Sequence, residues 1–319
     1  MLAPESRCEP CMMELPLADT RELVAGLRQT PACIAPKYFY DSRGSELFEA
    51  ITRLPEYYLT RTEREVMHRH GEAIAHSIGA VATLVELGAG SCEKARALCR
   101  LIRPAHFVAV DISTEFLAGA VARLRQEFPA LDARTLAADL TRAIELPADL
   151  PRAGRLVFFP GSSLGNFDPH QALDLLTRMR GMIEHDGGLL IGIDLAKDMA
   201  LLDAAYNDAA GVTAAFNLNM LSHVNRLIAA DFDPRQWRHR AFFNPVESRI
   251  EMHLVAAEDL LVRWRGGQRR FAAGEWIHTE NSYKYPLDEF LALLARAGFL
   301  RAEAWTDERN WFAVVLGRP

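Results

Sequence analysis

Between residues 81 and 195 the sequence alternates short β-branched or apolar runs with longer segments of helical periodicity. This alternation is typical of a doubly wound α/β domain, in which helices cross between the strands of a parallel sheet. It constrains the fold more than any other feature, because each parallel strand pair needs a long crossover connection. The predicted strands span residues 81–87, 106–111, 132–139, 155–160 and 189–195.

The segments between these strands have the periodicity of helices. They span residues 93–103, 113–128 and 169–184. Ser113 is a candidate cap for the second helix, and Asp168 with Pro169 suits the cap and first position of the third. Near the end of the chain we predict a helix at 287–297 and strands at 301–305 and 311–316. These two strands would form an antiparallel edge of the main sheet.

The chain has 319 residues, half of them hydrophobic, which suits one enlarged domain or a domain with a large insertion. Residues 1–80 are predicted to form a mainly helical segment that packs over the core, next to the substrate site. Residues 81–197 would form a Rossmann-like core, to which residues 286–319 return. Residues 198–285 are predicted to be an inserted α+β lobe, with helices at 200–207 and 211–229 and strands at 248–256 and 260–264.

The net charge of −6 provides no broad attraction to nucleic acid or acidic lipid, so we expect a small-molecule substrate. No apolar run reaches the ~18 residues of a membrane-spanning helix, and the first residues lack the pattern of a secretory signal. Five cysteines are too few for a disulfide framework in a chain of this length. We therefore expect a cytoplasmic protein, and its low charge and two-lobed plan suit a monomer.

The pair Cys8-x-x-Cys11 has the spacing of half a zinc site. The sequence contains no second pair of this kind, and this one lies in a terminal segment with Pro and Glu residues. We therefore expect no metal.

The first predicted strand runs directly into the loop ELGAGS at residues 86–91. Gly88 and Gly90 allow a tight turn and a close approach to a ligand, at the strand ends where open α/β sheets bind ligands. Asp111 ends the next strand, 21 residues after Gly90, which suits a carboxylate that accepts hydrogen bonds from ribose hydroxyls. A dinucleotide site would need glycine at Glu93, whose carboxylate would repel a pyrophosphate. The loop therefore favours S-adenosylmethionine (SAM), with a merely structural turn as the alternative.

Several long sequence blocks carry more specific information than the glycine loop. They are KYFYDSRGSELF at 37–48, ITRLPEYY at 51–58, TRTE at 60–63, ELGAGS at 86–91 followed by Glu93 and Lys94, GSSLGN at 161–166, AYNDAAGVTAAFN at 205–217, RIEM at 249–252 and TENS at 279–282. Together these blocks resemble the histidine-specific N-α-methyltransferases of ergothioneine biosynthesis, a SAM-dependent family. The resemblance extends over nearly the whole chain.

The resemblance implies a set of cofactor-binding residues, namely Gly88, Lys94, Asp111, Asp139 and Leu140. Lys94 would lie near the methionine carboxylate of SAM. Asp139 ends the third predicted strand, where it could reach the adenine amino group. On spacing alone, a helix cap for the following segment is an equally good interpretation of Asp139.

The resemblance also implies the residues that contact the substrate. Asn166 and Tyr206 would hold the α-amino and carboxylate groups of the amino acid, and Tyr40 and Tyr57 would line the same pocket. The positions that recognise the imidazole ring match Glu280 and Ser282, with Met252 packed nearby.

The chemistry of methyl transfer agrees with these residue types. The attacking amine must be neutral, and the uncharged Asn166 and Tyr206 can orient it without keeping it protonated. The sequence shows no dedicated base, so we expect the proton to leave to water or through the hydroxyl of Tyr40 or Tyr57. Glu280 and Ser282 supply an acceptor and a donor for the two ring nitrogens, and on an extended strand they face the same side.

Three functional interpretations follow from the sequence. The favoured one is the stepwise trimethylation of L-histidine at its α-nitrogen. A second keeps the reaction but changes the substrate to another amino acid or amine, because Ser163-Leu164 and Asn281-x-Tyr283 depart from the bacterial pattern. A third is a SAM-binding protein without catalytic activity. The Glu280 segment, taken alone, would be a solvated strand end.

Overall fold

A computed structural model of the protein describes residues 17–319. The Cys8-x-x-Cys11 pair lies outside the described residues. The helices are α1 (Leu17–Leu27), α2 (Ser42–Ile51), α3 (Tyr58–Ile78), α4 (Glu93–Ile102), α5 (Thr114–Glu127), α6 (Pro169–Gly181), α7 (Met199–Tyr206), α8 (Val212–Ile228) and α9 (Leu287–Arg296). Short 3-10 helices span Pro36–Phe39, Ser163–Asn166 and Pro234–Gln236. Within the described part of the chain, no helix is both long and apolar enough to cross a membrane.

The strands form two main sheets and a separate hairpin. They are β1 (Ala32–Cys33), β2 (Thr83–Leu87), β3 (His106–Asp111), β4 (Asp132–Ala137), β5 (Arg155–Phe159), β6 (Gly188–Asp194), β7 (Trp237–Asn244), β8 (Arg249–Ala256), β9 (Leu260–Trp264), β10 (Gly267–Phe271), β11 (Trp276–Tyr283), β12 (Arg301–Thr306) and β13 (Phe312–Arg318).

The larger sheet has seven strands in the order β12-β13-β6-β5-β2-β3-β4. The five strands from β6 to β4 are parallel, whereas β13 and β12 add an antiparallel edge. The predicted doubly wound α/β fold and its antiparallel edge are therefore confirmed. The direction of winding changes between β2 and β5, and ligands of such sheets bind at the carboxyl ends of strands beside this point.

Of the two predicted helix caps, the structure shows the one at α6 but not the one at α5. Asp168 caps α6 through a reciprocal bond pair with Gln171, and Pro169 is its first residue, as predicted. Ser113 occupies the cap position of α5, but its side chain makes no capping bond. The backbone N–H of Ser113 instead donates to Asp111, 2.9 Å away.

The second sheet has the order β1-β11-β8-β7 and belongs to a separate hydrophobic cluster. The inner face of this sheet packs against α8, and the N-terminal segment covers the same cluster with α1 and α2. Strand β1 pairs in parallel with β11, matching Ala32 with Ile277. Among residues 17–80, the N-terminal segment therefore supplies a strand to this lobe but none to the main sheet. Helix α3 leaves the lobe and packs on the main sheet.

Candidate active site

The glycine turn after β2 is the first component of the site. Gly88 and Gly90 have φ angles of +65° and +49°, a region that glycine adopts without strain. A side chain at Gly90 would meet no described atom within 4 Å, so the turn borders open space. The N–H of Gly90 donates to Asp111 Oδ2 at 2.9 Å, and the N–H of Ser113 donates to Oδ1 at 2.9 Å. The structure thus joins Gly90 and Asp111 directly, and the ribose contact of Asp111 stays a prediction.

A second turn, after β5, lies beside Lys94. The Lys94 Nζ is 2.5 Å from Glu63 Oε2. The other oxygen of Glu63 accepts the N–H of Gly161 at 2.9 Å, and a Cβ at Gly161 would lie 2.9 Å from Lys94 Nζ. The buried Glu63 therefore ties α3 to both turns, although the sequence analysis did not select it as a site residue. Its only signal was its place in the TRTE block.

Glu86 lies beneath the glycine turn and is buried. Burial raises the pKa of its carboxyl group well above the usual value, an effect that Lys94 opposes and Asp111 reinforces. Because its Oε2 has no hydrogen-bond partner among the described residues, the protonated form suits this position. Glu86 therefore adds little negative charge beneath the turn.

Asp139 and Leu140 lie beyond the end of β4, at the same edge of the sheet. Asp139 accepts hydrogen bonds from the backbone and hydroxyl of Thr141, and its Oδ2 is 2.8 Å from Lys37 Nζ. No described helix begins after Asp139, so the helix-cap alternative is wrong. Leu140 packs against the core, and its carbonyl accepts a hydrogen bond from Arg178. The Lys37 contact attaches the N-terminal segment to this edge of the core.

A narrow cavity in the lobe holds most of the predicted substrate residues. It encloses about 20 Å³, room for only one or two water molecules. Four predicted residues line it: Tyr57, Tyr206, Met252 and Glu280. The remaining walls are Phe48, Ile51, Ala205, Thr213 and Phe216, which the sequence analysis did not select.

Tyr40 borders this cavity through its ring. The ring makes edge contacts with Phe48 and Phe216, each at a centroid distance of 5.8 Å. Burial raises the pKa of the Tyr40 hydroxyl well above its usual value, with contributions from Glu280, Tyr57 and Asp111. The charges of Glu280 in the lobe and of Asp111 at the glycine turn thus both act on the Tyr40 hydroxyl. The two halves of the site are therefore neighbours.

Burial in the cavity wall changes the pKa values of the ionisable side chains that line it. Burial raises the pKa of Glu280 to about 7, and the charge of Lys284 opposes this rise. No described residue donates a hydrogen bond to the Glu280 carboxyl group. Burial also raises the pKa of Tyr57 and of Tyr206 well above the usual value, so both phenols are neutral at pH 7. The cavity therefore presents one ionisable carboxyl group among neutral hydroxyls.

Ser282 lies next to the cavity on the same face of β11 as Glu280. Its Oγ is 2.8 Å from the hydroxyl of Tyr206 and 2.8 Å from Nζ of Lys284. The Lys284 ammonium also lies 2.8 Å from Asp194 Oδ2, at the carboxyl end of β6. Both charged side chains are fully buried. This ion pair is not evident from the sequence, because Asp194 ends an apolar strand and Lys284 follows the last recognised block.

Asn166 ends the 3-10 helix that follows Gly161. The Gly165 preceding it packs so closely on β11 that a Cβ there would lie 2.9 Å from the carbonyl oxygen of Tyr283. This contact holds Asn166 near the strand that carries Ser282. The Asn166 side chain is half-buried, does not line the cavity, and makes no hydrogen bond with another residue from 17 to 319. Its role toward the substrate stays a prediction.

A second, larger cavity of about 430 Å³ lies on the opposite face of the lobe sheet. Its walls include Glu251 and His253, which flank the inward-facing Met252 on β8 and therefore point the other way. Asn281 also faces this outer cavity, and its Oδ1 accepts a 2.8 Å hydrogen bond from His278 Nε2. The β8–β11 layer separates this cavity from Glu280.

Comparison with known proteins identifies the family. Residues 19–319 match the family model described as histidine-specific methyltransferase, SAM-dependent. Histidine N-alpha-methyltransferase of Mycolicibacterium smegmatis is 40% identical over 303 residues, 93% of each chain. The protein of that name from Mycobacterium tuberculosis is 39% identical over 314 residues, 94% of each chain. Ergothioneine biosynthesis protein 1 of Neurospora crassa is 28% identical over 92% of this chain and 33% of that longer protein. The resemblance is confirmed, and this chain belongs to the SAM-dependent, histidine-specific methyltransferase family.

Proposed function

We propose that this protein transfers methyl groups from SAM to the α-amino nitrogen of L-histidine. Three successive transfers would give N,N,N-trimethylhistidine (hercynine), a step of ergothioneine biosynthesis. The observation that carries the proposal is the pairing of the buried Glu280 carboxyl with the Ser282 hydroxyl on one face of β11, beside an aromatic cavity. This pair matches the donor and acceptor needs of an imidazole ring. Membership of the histidine-specific family supports the same substrate.

The residues around the glycine turn suit SAM. Each oxygen of Asp111 accepts one backbone N–H, which leaves a lone pair on each for the ribose hydroxyls. The open space beside Gly90 admits a ligand against the backbone. We propose that Lys94 pairs with the methionine carboxylate, and that Asp139 and Leu140, with Gly88, contact the rest of the cofactor. When bound, SAM supplies an electrophilic methyl group on its sulfonium.

The lobe residues would orient the amino acid. We propose that Glu280 accepts the ring N–H, that Ser282 bonds the other ring nitrogen, and that Met252 packs against the ring. Asn166 is the proposed partner of the α-amino group, since its amide has no other bond among the described residues. The Tyr206 hydroxyl forms a 2.8 Å hydrogen bond with Ser282 Oγ. Its contact with the α-amino and carboxylate groups of the substrate therefore stays a prediction. Positioning of this kind lowers a displacement barrier by about 7–11 kcal/mol at best.

The cavity walls also suit an amine that gains methyl groups. The rings of Tyr40, Tyr57, Phe48 and Phe216 surround the space, and aromatic faces attract a growing ammonium without keeping the amine protonated. The raised pKa values of Tyr40 and Tyr57 keep both phenols neutral. We therefore propose that either hydroxyl passes the amine proton to water as a relay and does not act as a phenolate base. An unchanged kcat after both Tyr→Phe substitutions would exclude this relay.

The test is direct. The protein is incubated with SAM and a mixture of the twenty amino acids, and the products are analysed by mass spectrometry. We expect a gain of three methyl groups on histidine alone. Methylation of a different amino acid would show that histidine is not the substrate. Binding of SAM without turnover on any amino acid would exclude catalysis.

The unusual Asn281 and Tyr283 do not favour a different substrate. Asn281 faces the outer cavity, and the hydroxyl of Tyr283 accepts a 2.6 Å hydrogen bond from Arg249. Both side chains therefore point away from the face that carries Glu280 and Ser282. These two departures therefore give no support to another amino acid or amine as the substrate.

We also propose a cytoplasmic monomer. The low net charge and the two-lobed plan of the chain support a monomer. Cys33, Cys92 and Cys99 are free thiols, which suits a reducing compartment. Light scattering coupled to gel filtration tests the oligomeric state, and a dimer mass would overturn that part. Fractionation of the source cells tests the compartment.

A further inference from the structure

A buried charge cluster joins the main sheet to the substrate cavity. Asp194, at the end of β6, is bound by Lys284 at 2.8 Å, by Lys197, and by the hydroxyl of Tyr58 at 2.7 Å. Neither lysine side chain is more than 4% exposed. The two ammonium groups exceed the single charge of Asp194; the charge of Asp307 also acts on Lys197, and that of Lys284 acts on Glu280. The cluster therefore connects the core electrostatically to the residue proposed to recognise the ring.

The hydrogen bonds of Lys284 restrict the two hydroxyls beside it. Its ammonium has three N–H groups and can only donate. They point to Asp194 Oδ2 at 2.8 Å, Ser282 Oγ at 2.8 Å and Tyr206 OH at 3.3 Å. Both hydroxyl oxygens therefore accept from Lys284. The Lys197 ammonium differs, because it bonds Tyr58 and Asp194 but neither of these two hydroxyls.

The contact between Tyr206 and Ser282 then fixes the remaining proton. Their oxygens are 2.8 Å apart, so one hydroxyl donates to the other. The phenol of Tyr206 is the better donor, because it is more acidic than an aliphatic hydroxyl. The oxygen of Ser282 then accepts two hydrogen bonds, one from Tyr206 and one from Lys284. Its own proton must point out of this pair, on the side of β11 that carries Glu280.

We propose that Lys284 is a positioning residue that makes Ser282 an obligate hydrogen-bond donor to the substrate ring. The inference rests on the proposed histidine substrate. With Glu280 as the acceptor and Ser282 as the donor, the site takes a neutral ring with one N–H and one bare nitrogen, in a single tautomer. In a ring with two N–H groups, one N–H would face the Ser282 hydroxyl proton, and two donors in contact repel each other. A ring without a bare nitrogen would leave that proton unpaired.

The test is a double-mutant cycle between Lys284→Met and Ser282→Ala, with the KM and kcat for histidine as the readout. In the chain with Ser282 intact, we expect Lys284→Met to raise the histidine KM about tenfold, the effect of one lost directed hydrogen bond. In the Ser282→Ala background the same change should alter KM less than about threefold, because the group it orients is gone. An equal effect in both backgrounds would overturn the proposal.

Lys197→Met is the matched control, since it removes the other ammonium from Asp194 and leaves Ser282 untouched. Either substitution leaves Asp194 paired with one lysine, which protects the fold from an unpaired buried carboxylate. We expect Lys197→Met to change KM by the same factor in both backgrounds. If Lys284→Met does not fold, Lys284→Leu, which also lacks a donor, replaces it in the cycle. Absence of any turnover by the unmodified protein on histidine would instead overturn the proposed function, so the two failures are distinct.

Discussion

Glu280 combines burial, a single nearby cation and a place in the cavity wall. Burial removes its carboxyl group from solvent, and this raises the pKa of Glu280 to about 7. A carboxyl with this pKa changes charge near neutral pH, where the imidazole of a free histidine also titrates. The charge state of Glu280 therefore affects both the stability of the ligand-free protein and the ability of this carboxyl group to accept a ring N–H.

The first prediction concerns Glu280→Gln. The pKa of Glu280 is about 7 in the folded protein and near 4.5 when the carboxyl is solvated. The folded state thus binds the proton more tightly, and the stability gained from this is complete below about pH 4.5 and lost as pH rises through about 7. We expect Glu280→Gln without ligands to be more stable than the unmodified protein at pH 8, by up to about 3 kcal/mol. The difference should shrink toward pH 5.

Urea unfolding at several pH values measures this effect. Glu303→Gln is the control, because Glu303 is exposed on β12 and its removal should give no pH-dependent difference. Lower stability of Glu280→Gln at every pH would contradict the prediction.

The second prediction concerns Asp111, which holds the glycine turn and is proposed to bind the ribose. Asp111→Asn keeps the shape but removes the charge, so we expect the Kd of SAM to rise about tenfold or more in calorimetric titrations. Asp132→Asn is the matched control, because Asp132 begins β4 at the opposite end of the sheet. Equal affinities of the two variants would argue against a ribose contact.

The sequence identified the individual site residues unevenly. Gly90 and Asp111 were found because turn chemistry and strand spacing are local signals. Glu280 and Ser282 were found through the resemblance, since two polar residues on a strand are otherwise ordinary. Lys284 and Asp194 were missed, because nothing local distinguishes a buried ion pair whose members are far apart in sequence. They meet because the chain segments just after β6 and β11 lie side by side, joined by a parallel bridge between Leu195 and Tyr285.

At the scale of elements, the prediction worked best where periodicity is strong. Strands β2, β5 and β6 are buried on both faces and appear as continuous apolar runs. Strands β7 and β10 were not predicted, and only the 280–282 part of β11 was taken as extended, because charged and polar residues interrupt their alternation. In β11 this interruption is the site itself, since Glu280 and Ser282 occupy inward positions. The two-residue β1 is too short to leave any pattern.

The third prediction concerns the 3-10 helix that carries Asn166. In Gly165→Ala the new Cβ would lie 2.9 Å from the Tyr283 carbonyl oxygen and must push the helix away from β11. We expect a loss of about 1–3 kcal/mol in unfolding free energy and a reduced kcat/KM for histidine. Gly181→Ala, at the end of α6, is the control, because no described atom lies within 4 Å of its new Cβ. Similar behaviour of both variants would show that the contact does not position Asn166.

At the scale of the whole molecule, the lobe and the main sheet share buried contacts through Asp194, Lys284 and Tyr58. The sequence predicted the core and an inserted lobe, but it contained no signal for how they join. The joining residues are polar and lie far apart along the chain. Such contacts depend on the assembled fold and not on any local pattern.

The fourth prediction is that the two parts unfold together. SAM at 100 times its Kd should stabilise the protein by about 2.7 kcal/mol and raise the thermal midpoint of the lobe as well as that of the core. Fluorescence of a Trp305→Phe variant, which removes the tryptophan of the core cluster, and circular dichroism of the whole protein should report one midpoint, with and without SAM. Separate midpoints, with only the core shifted by SAM, would contradict this.

The pairing of β1 with β11 has a consequence for the order of assembly during synthesis. Ala32 leaves the ribosome early, whereas its partner Ile277 emerges only after most of the chain has been made. The main parallel strands can collapse while translation continues, but the sheet that carries Glu280 must wait for its last strand. A nascent chain stalled before residue 277 would therefore have a turn ready for the methyl donor and no completed chamber for the acceptor.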